Sequence, residues 1–321
     1  MLRVDGISRR YGELTVVDKL SFTVNEGEFV ALLGPSGCGK STSLKMIAGL
    51  EMPDEGNIEL DGRDITQLSP GERKLAMVFQ SYALFPHLKV EENIIFGLQA
   101  RKVPKDEQKR RLDSVVELVG LGDHLQKKPG QLSGGQCQRV ALARAIVAQA
   151  KLCLMDEPLS NLDAKLRNEM RTEIRALQQR LGMSVIYVTH DQVEAMSMAD
   201  RIVLMNDGKI EQIDVPKALY NSPQTLFTAQ FIGSPPMNII GSGKDRLGIR
   251  PEHIEISDKG MPASVVSCDY HGADTIVLAD VSATEEDQKL VKIRYPGHAM
   301  FKAQQRLLIR WDSGNEHRFP N

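Results

Sequence analysis

The 321-residue sequence predicts an α/β fold of alternating strands and helices, followed by a smaller all-β region. Three observations support this prediction. An apolar strand pattern at residues 29–33 leads through a glycine-rich loop into a helical pattern at residues 43–48. Several later strand patterns end in polar side chains, and after residue 235 the pattern changes to short strands separated by turns. A chain of this length accommodates one large domain and one smaller domain.

Residues 2–30 alternate apolar and polar side chains in short runs, which is typical of a β-hairpin. Turn signals interrupt these runs at Tyr11-Gly12 and at residues 25–27. Tyr11 is predicted on a loop between strands, ahead of the glycine-rich loop. An aromatic ring at that position can either stack on a flat ligand such as a base or pack within the fold.

The glycine-rich loop fits the pattern G-x-x-x-x-G-K-[S/T] at every specified position. Its residues are Gly34, Pro35, Ser36, Gly37, Cys38, Gly39, Lys40 and Ser41, and Thr42 follows. The glycines let successive backbone N–H groups point inward at anionic oxygens, and the next helix directs its positive end to the same place. We therefore expect Lys40 to reach the β- and γ-phosphates of a nucleotide and Ser41 to hold Mg²⁺.

Polar side chains end three of the later strand patterns, at Gln80, at the pair Asp156 and Glu157, and at His190. In an open α/β sheet, ligand-binding groups lie at the carboxyl ends of the strands. Two carboxylates at the end of a buried strand are costly unless they are used. One of the pair can hold a hydrated Mg²⁺, and the other can orient and deprotonate a water. The Gln80 amide can contact a metal, a water or a moving loop.

Residues 81–130 predict a helical insertion that interrupts the alternation of strands and helices, with helices at 90–98 and 105–119. The apolar loop at 82–86 contains a proline that prevents a helix. Such a loop is equally consistent with a docking surface and with core packing.

A second glycine-containing segment lies at residues 132–136, before an alanine-rich helix. Ser133 and Gln136 form the S-x-x-Q pattern of a capping box, which marks the start of that helix. Gly134 and Gly135 leave backbone N–H groups unobstructed, so the helix end can bind a second anionic group. Taken alone, the segment indicates a well-capped helix.

A turn at residues 160–163 leads into a helix that begins at Ala164 and stops at Gly182. Its apolar residues fall on one face at helical spacing. We expect its arginines to form a solvated face: Arg167, Arg171 and Arg175.

The composition is that of an ordinary globular protein, with 41% hydrophobic and 26% charged residues. The net charge of −2 gives no reason to expect nucleic acid or an anionic membrane as a direct partner. The scattered cysteines are expected to be reduced thiols of a cytosolic protein: Cys38, Cys137, Cys153 and Cys268. The start of the chain does not fit a signal peptide, and its apolar runs are too short to cross a bilayer. We expect any membrane association to depend on a partner protein.

With these motifs in place, residues 2–235 resemble the ATPase subunit of an ATP-binding-cassette (ABC) transporter. The Leu-Ser-Gly-Gly-Gln sequence at 132–136 is close to diagnostic of that class. Several segments resemble the importer ATPases for maltose and glycerol-3-phosphate: residues 35–38, 78–86, 189–195, 233–238 and 248–253. Cys137 departs from the family, which usually has a long polar residue there.

The resemblance implies a P-loop NTPase fold, an ABC cassette with an antiparallel β subdomain and a helical subdomain at about 88–150. It places the ATPase domain at residues 1–235 and an OB- or TOBE-like regulatory β domain at 236–321. The second region also shows strand patterns typical of a small barrel: residues 247–249, 264–268, 275–278, 289–294 and 306–311.

The resemblance also implies roles for the motif residues, with ATP and Mg²⁺ as ligands. Asp156 would support the metal together with Ser41 and Gln80, and Glu157 would be the general base. His190 would contact the γ-phosphate and position the water. Tyr11 would stack on adenine, and residues 34–42 would bind the phosphates. A second copy's ATP would be contacted by Ser133, Gly134, Gly135, Gln136 and Asp163, so that two ATP molecules are sandwiched head-to-tail in a homodimer or a paired cassette.

The partners implied by the resemblance are two transmembrane permease subunits, reached through Gln80 and residues 81–98, and indirectly a solute-binding protein. The location would be the cytoplasmic face of the plasma or inner membrane. Sugar or glycerol-phosphate is the favoured solute, and polyamine, phosphonate and iron are alternatives. Two other classes remain: a soluble ABC protein acting on nucleic acid or ribosomes, and a small-molecule kinase. The single cassette argues against the first, and the 132–136 segment and His190 argue against the second.

Overall fold

The computed structural model describes residues 1–241, 246–281 and 290–319. The chain divides into two compact units, Met1–Pro216 and Lys217–Asn321. The predicted α/β fold followed by a smaller all-β region is confirmed. Each unit is built from its own sheets and its own apolar core.

The first unit alternates strands and helices. Its strands are β1 (Leu2–Tyr11), β2 (Leu14–Val24), β3 (Phe29–Leu33), β4 (Glu55–Leu60), β5 (Arg63–Asp64), β6 (Ala76–Val78), β7 (Leu152–Asp156), β8 (Ser184–Thr189), β9 (Arg201–Asn206) and β10 (Lys209–Asp214). Its helices are α1 (Lys40–Ala48), α2 (Pro70–Arg73), α3 (Val90–Ala100), α4 (Lys105–Val119), α5 (Gly134–Val147), α6 (Ala164–Leu181) and α7 (Gln192–Met198).

Two sheets organise the first unit. An antiparallel sheet has the strand order β2-β1-β4-β5, and a central sheet has the order β10-β9-β3-β8-β7-β6. In the central sheet β3, β6, β7, β8 and β9 run parallel, and β10 is antiparallel to β9. Every residue of β3 is buried, as expected for a strand covered on both faces. Because the parallel strands share one direction, their carboxyl ends meet at one edge of the sheet.

The predicted helical insertion contains α3 and α4, and these helices share an apolar cluster with α5. The loop at residues 82–86, before α3, fits both core packing and an exposed docking surface. Tyr82 and Leu84 pack against the core, while Phe85 packs against Phe96 with ring centroids 4.3 Å apart and ring planes tilted by 41°. Phe96 is 41% exposed, so part of this apolar surface remains open.

The prediction of a solvated arginine face on α6 is wrong, because all three arginines are partly buried. Arg167 Nη2 donates a hydrogen bond to the Leu162 carbonyl at 3.0 Å. Arg175 Nη1 donates to Asp200 Oδ2 at 3.1 Å. Acceptors outside α6, which helical spacing does not reveal, hold Arg167 and Arg175 against the fold, while Arg171 is hydrogen bonded to Asn168 of the same helix.

The second unit begins with two short helices and continues as antiparallel strands. The helices are α8 (Pro216–Asn221), which starts at the division, and α9 (Leu226–Phe231). The strands are β11 (Asn238–Ile240), β12 (Arg246–Ile249), β13 (Glu255–Ser257), β14 (Met261–Tyr270), β15 (Asp274–Asp280), β16 (Leu290–Pro296), β17 (Arg306–Arg310) and β18 (His317–Phe319). They form sheets of order β11-β12-β18 and β13-β17-β14-β15-β16. Of the predicted strand 289–294, Lys289 lies outside the described residues.

The structure divides after Pro216, while the functional domain boundary predicted between residues 235 and 236 stays a prediction. In the second unit Arg250, which is 1% exposed, ties both short helices to the strands. Its guanidinium donates to the carbonyl oxygens of Ala229 and Ile232, and to that of Tyr220 at 2.6 Å. A buried cation held by three carbonyl groups makes residues 217–235 part of the second unit.

None of the helices within the described residues combines the length and the apolar character needed to span a bilayer. The four cysteines are free thiols, as predicted. Burial raises the pKa of the Cys153 thiol to about 12.

Candidate functional site

The glycine-rich loop lies between the end of β3 and the start of α1, at the carboxyl edge of the central sheet. Close packing requires glycine at two of its positions. A Cβ on Gly34 would lie 2.2 Å from the carbonyl oxygen of Met205. A Cβ on Gly39, where φ is 96°, would lie 2.5 Å from the carbonyl oxygen of Val16. A larger residue at either position would displace the backbone and open the tight curl of the loop.

Lys40 is the first residue of α1, and its side chain turns back into the loop. The residue is 5% exposed. Its Nζ donates hydrogen bonds to the carbonyl oxygens of Gly34 at 2.8 Å and Pro35 at 2.7 Å. These partners are neutral, so they hold the ammonium group in the loop without cancelling its charge. A buried cation at a helix N-terminus is suited to binding an anion.

Ser41 and Asp156 join the start of α1 to the end of β7. Ser41 Oγ donates a hydrogen bond to Asp156 Oδ1 at 2.7 Å. Burial raises the pKa of Asp156, and the hydrogen bond from Ser41 acts in the opposite direction. Hydroxyl and carboxylate oxygens are hard ligands of the kind that Mg²⁺ prefers. The two side chains, placed beside the phosphate loop, therefore fit that ion.

Glu157 and His190 meet at the ends of the neighbouring strands β7 and β8. His190 Nδ1 lies 3.1 Å from Glu157 Oε2, and because a carboxylate only accepts, the ring donates through Nδ1. The Glu157 backbone has φ of 43°, in the left-handed region that residues with a side chain seldom adopt. Its N–H donates to the Val188 carbonyl at 3.1 Å. Backbone strain of this kind is concentrated at functional sites, so it favours a functional role for Glu157.

Gln80 lies just beyond β6 and is bonded to the loop that follows Glu157. Gln80 Nε2 donates to Ser160 Oγ at 3.3 Å, and the Gln80 carbonyl accepts from Asn161 Nδ2 at 2.9 Å. Ser160 Oγ in turn donates to the Glu157 carbonyl at 3.0 Å. The structure thus brings Gln80 to the residue-160 loop rather than to the Ser41 hydroxyl, and its role as a metal ligand stays a prediction.

We call the residues at the carboxyl edge of the central sheet the strand-end cluster. They are Lys40, Ser41, Asp156, Glu157 and His190. The ends of two strands, β7 and β8, and the start of α1 contribute these side chains, and β3 leads into the loop before α1. The parallel arrangement of β3, β7 and β8 brings the cluster together.

The capping box predicted at the start of α5 is present. Ser133 Oγ accepts a hydrogen bond from Gln136 N at 3.3 Å, and Ser133 N donates to Gln136 Oε1 at 2.9 Å. These two bonds satisfy backbone donors that a helix N-terminus otherwise leaves unpaired.

The same loop packs against the start of α6. A Cβ on Gly135 would lie 3.0 Å from the side chain of Leu166, so glycine lets the two helix ends approach closely. Asp163 is the N-cap of α6 and accepts from Leu166 N at 2.9 Å. Ser133, Gly134 and Asp163 are exposed. The structure thus assembles a second group, here called the α5–α6 cluster: Ser133, Gly134, Gly135, Gln136 and Asp163.

Tyr11 is the last residue of β1 and pairs with Leu14, so it lies at a strand end rather than on the predicted loop. Its side chain is 46% exposed, and its hydroxyl is hydrogen bonded to Glu51. The Arg9 guanidinium lies 5.0 Å from the ring centroid. The exposed ring keeps surface available to a ligand, and adenine stacking stays a prediction.

The sequence reasoning missed a buried network behind His190. Glu194 is 4% exposed and accepts hydrogen bonds from Tyr187 Oη at 2.8 Å and Thr189 Oγ1 at 2.7 Å. Burial raises the pKa of Glu194. Thr189 Oγ1 also accepts from Asp191 N at 2.9 Å, so the network fixes the backbone on both sides of His190. A glutamate at a core-facing position of α7 is the signal that could have indicated it.

Known proteins resemble this chain over most of its length. Residues 17–160 match the ABC transporter family, and residues 247–319 match the TOBE domain. The sn-glycerol-3-phosphate import ATP-binding protein UgpC of Ruegeria pomeroyi is 45% identical, over 92% of this chain and 90% of that protein. The spermidine/putrescine import ATP-binding protein PotA of Bacillus thuringiensis is 49% identical, over 84% of this chain and 81% of that protein.

A solved structure resembles the chain as well. It is a dimeric post-hydrolysis state of the ATP-binding cassette MJ0796 bound to ADP and Pi, with 30% sequence identity and a TM-score of 0.59. The match covers 67% of this chain and 99% of that one. The family match at 17–160 contains the phosphate loop, Gln80, the 132–136 segment, Asp156 and Glu157, while Tyr11, Asp163 and His190 lie beyond it.

Proposed function

Because this chain belongs to the ABC transporter family and is an ATP-binding ATPase, we propose that it drives solute import as a head-to-tail pair of cassettes beneath a permease. The observation that carries the proposal is the contrast between its two polar clusters. The strand-end cluster contains the groups for binding and cleaving a nucleotide phosphate. The α5–α6 cluster presents exposed helix N-termini, which suit an anion held by another molecule.

The contacts of the strand-end cluster support one role for each side chain. Lys40 binds the β- and γ-phosphates, and Ser41 and Asp156 would hold Mg²⁺. Gln80, which is hydrogen bonded to the residue-160 loop, is assigned as a further ligand from the family resemblance alone. When bound, the ion offsets the charge on the phosphate oxygens. Glu157 takes the proton of the attacking water, and a positioned base of this kind contributes about 10²–10⁴-fold to the rate.

His190 orients this base through its Nδ1 hydrogen bond to Glu157 Oε2. In the neutral ring the other nitrogen, Nε2, accepts a hydrogen bond from the attacking water, and in the imidazolium form it donates to the γ-phosphate. Tyr11 stacks on adenine, and the loop at residues 34–42 surrounds the phosphates with its backbone N–H groups, which every residue except Pro35 has. In this arrangement Lys40 offsets the negative charge of the phosphates. Glu157 accepts the proton of the attacking water, and His190 holds Glu157 in position.

The α5–α6 cluster closes the site of the second copy. Ser133 Oγ and the unobstructed N–H groups of Gly134 and Gly135 face the γ-phosphate bound to the partner, with Gln136 and Asp163 beside them. Each dimer then contains two equivalent composite sites. The partner is a second copy of this chain or a similar cassette.

Substitution of Ser133 by arginine tests this arrangement. Ser133→Arg places a long cation where the partner's nucleotide would approach, so we expect phosphate release to be abolished. Binding of ATP to the monomer should survive, because the strand-end cluster is intact. Ser133→Thr, which keeps the hydroxyl, is the matched control and should retain activity. Wild-type phosphate release in Ser133→Arg would contradict the shared site.

We place the permease contact at the apolar groove beside α3. The groove has a volume of about 380 Å³ and is lined by Ala83, Phe85, Phe96, Arg101 and Arg144 among others. Arg144 donates to the carbonyl oxygens of Tyr82 and Ala83, both at 2.7 Å, which fixes one wall. An exposed aromatic surface with a fixed wall fits a short amphipathic helix of a membrane protein. This docking locates the chain at the cytoplasmic face of the membrane.

Replacement of the exposed aromatic residue tests the groove. Phe96→Asp should abolish co-purification with the permease subunits while the ATPase activity of the isolated chain stays unchanged. Val266→Asp, at an exposed apolar position of the second unit, is the control and should leave co-purification intact. Retained co-purification of Phe96→Asp would place the permease contact elsewhere.

For the solute, we propose glycerol-3-phosphate or a sugar, delivered by a solute-binding protein. The resemblance to UgpC supports this choice because it extends over 90% of that protein. Polyamine is the second candidate, supported by the 49% identity to PotA. The test is ATP-dependent uptake of radiolabelled sn-glycerol-3-phosphate, maltose and spermidine into vesicles that contain this chain with the permease encoded beside it, in the presence of the solute-binding protein encoded there. Uptake of spermidine alone would select the second candidate.

A further inference from the structure

A side-chain contact from outside both clusters reaches the α5–α6 cluster at Gln136. His124 ends a short 3₁₀ turn, Gly122–His124, and its Nε2 lies 3.1 Å from Gln136 Nε2. We propose that His124 is a positioning residue for Ser133, because its Nε2 accepts a hydrogen bond that fixes the Gln136 amide. The inference rests on the proposed function, since it concerns the loop assigned to the partner's nucleotide.

The direction of this hydrogen bond follows from the other contact of Gln136. Its Oε1 accepts from Ser133 N at 2.9 Å, and a backbone N–H can only donate. The amide orientation is therefore determined, and Nε2 faces His124. Because an amide nitrogen also only donates, His124 Nε2 supplies the lone pair and the neutral ring carries its hydrogen on Nδ1.

The other ring nitrogen of His124, Nδ1, indicates that the hydrogen bond at Nε2 is needed. Nδ1 is buried and has no hydrogen-bond partner in the part of the chain that the structure describes. A buried, unpaired N–H destabilises the fold, whereas an apolar side chain at this position would avoid that cost. A histidine placed with one nitrogen unpaired is explained if the acceptor at Nε2 is needed.

The segment that carries His124 is itself held by the first turn of α3. Val90 N donates to the Lys127 carbonyl at 2.9 Å, and Glu91 N donates to the Leu125 carbonyl at 3.2 Å. The same helix lines the proposed permease groove. The His124–Gln136 contact is thus a side-chain link between the start of α3 and the Ser133 loop, and it fixes the loop relative to that helix.

Two polar substitutions of His124 distinguish a role as hydrogen-bond acceptor from a role in packing alone. In His124→Gln the amide oxygen can occupy the place of Nε2, whereas in His124→Asn the shorter side chain cannot reach Gln136. We expect His124→Asn and His124→Leu to lower the ATPase rate at saturating ATP about threefold to tenfold, the usual effect of one hydrogen bond. The affinity of the monomer for ATP should not change. His124→Gln should restore the rate to near the wild-type value.

Asp123→Asn, at an exposed position of the same turn, is the control and should keep the wild-type rate. If His124→Leu does not fold, the Asn and Gln variants carry the test. Wild-type rates in His124→Asn, or equal losses in His124→Asn and His124→Gln, would overturn the inference. Ser133→Arg distinguishes a wrong role for His124 from a wrong proposed function. If Ser133→Arg abolishes hydrolysis while His124→Asn does not affect it, the shared site stands and only the positioning role of His124 is wrong.

Discussion

The strand-end cluster and the α5–α6 cluster are both assigned to the same nucleotide phosphates, but they are built differently. In the first, side chains from distant parts of the sequence pair with one another, as Ser41 does with Asp156 and Glu157 with His190. In the second, Ser133 and Asp163 are exposed, and each caps the helix that follows it. The first cluster is assembled by the sheet, and the second by local helix geometry.

This difference shows which part of the chemistry one chain can complete. Pairing across β7, β8 and α1 fixes the strand-end geometry within a single chain. In the α5–α6 cluster Ser133, Gly134 and Asp163 are instead exposed at two helix N-termini, and we propose that their ligand comes from another molecule. This difference predicts that substitutions in the two clusters affect ATP binding, hydrolysis and stability in separable ways.

The largest effect is expected from the base of the strand-end cluster. Glu157→Gln removes the proton acceptor but keeps the size of the side chain, so phosphate release should fall about 10²–10⁴-fold. ATP binding should be intact, and an ATP-bound dimer should accumulate on size-exclusion chromatography. Glu169→Gln, on the exposed face of α6, serves as the control. Turnover near the wild-type rate in Glu157→Gln would remove this residue from its assigned role.

Mixing two inactive variants sharpens the comparison further. In a heterodimer of Glu157→Gln and Ser133→Arg, one composite site combines the intact strand-end cluster of one chain with the intact α5–α6 cluster of the other. An equal mixture should recover about a quarter of wild-type activity, because half of the dimers are mixed and each has one working site of two. The measurement is phosphate release after co-incubation, with each variant alone as the control. No recovery in dimers shown to be mixed would argue against sites shared between chains.

The sequence predicts the strand-end cluster well because its signals are local. The phosphate loop is a contiguous motif, and Asp156 and His190 follow apolar runs that read as buried strands. Parallel strands then bring such ends together without further information. The capping box at Ser133 is predictable for the same reason, since its pattern spans four adjacent residues.

Contacts between the side chains of different elements are harder to predict. Glu194 of α7 accepts from Tyr187 and Thr189 of β8, and only its core-facing position on a short helix indicates these contacts. Arg250 fixes residues 217–235 to the second unit through backbone carbonyl groups, which carry no sequence signal. His124 likewise has no pattern that points to Gln136. These contacts depend on how elements pack, and spacing along one element does not encode that.

Loss of the caps tests the local construction of the α5–α6 cluster. Ser133→Ala and Asp163→Ala should each lower the free energy of unfolding by about 1 kcal/mol, because a helix N–H loses its acceptor. Ser133→Gly should cost only a few tenths of a kcal/mol, roughly as glycine does at other N-caps. Urea denaturation of the nucleotide-free protein measures these differences. If Ser133→Ala is as stable as the wild type, the cap does not hold the loop.

The smallest effect on the free energy of unfolding is expected at Asp156, a carboxyl of the strand-end cluster. Burial raises the pKa of this carboxyl above its ordinary value of 3.8 in the folded protein. A raised pKa means that its contribution to stability is complete below the unfolded value and is lost as the pH rises through the folded one. Near pH 7 the ionised carboxylate therefore destabilises the nucleotide-free fold.

Asp156→Asn should accordingly raise the free energy of unfolding at pH 7 while it abolishes Mg²⁺-dependent hydrolysis. The asparagine Oδ1 can still accept the hydrogen bond from Ser41, so the packing is kept. The gain should shrink as the pH falls and vanish below about 3.8. Asp163→Asn, at the exposed cap of the other cluster, should show no such gain, since an exposed carboxylate keeps its hydration. A stability gain in Asp156→Asn that grew on acidification would show that the ionised Asp156 carboxylate does not destabilise the nucleotide-free fold. The side chains of the two clusters would then differ only in their exposure to solvent.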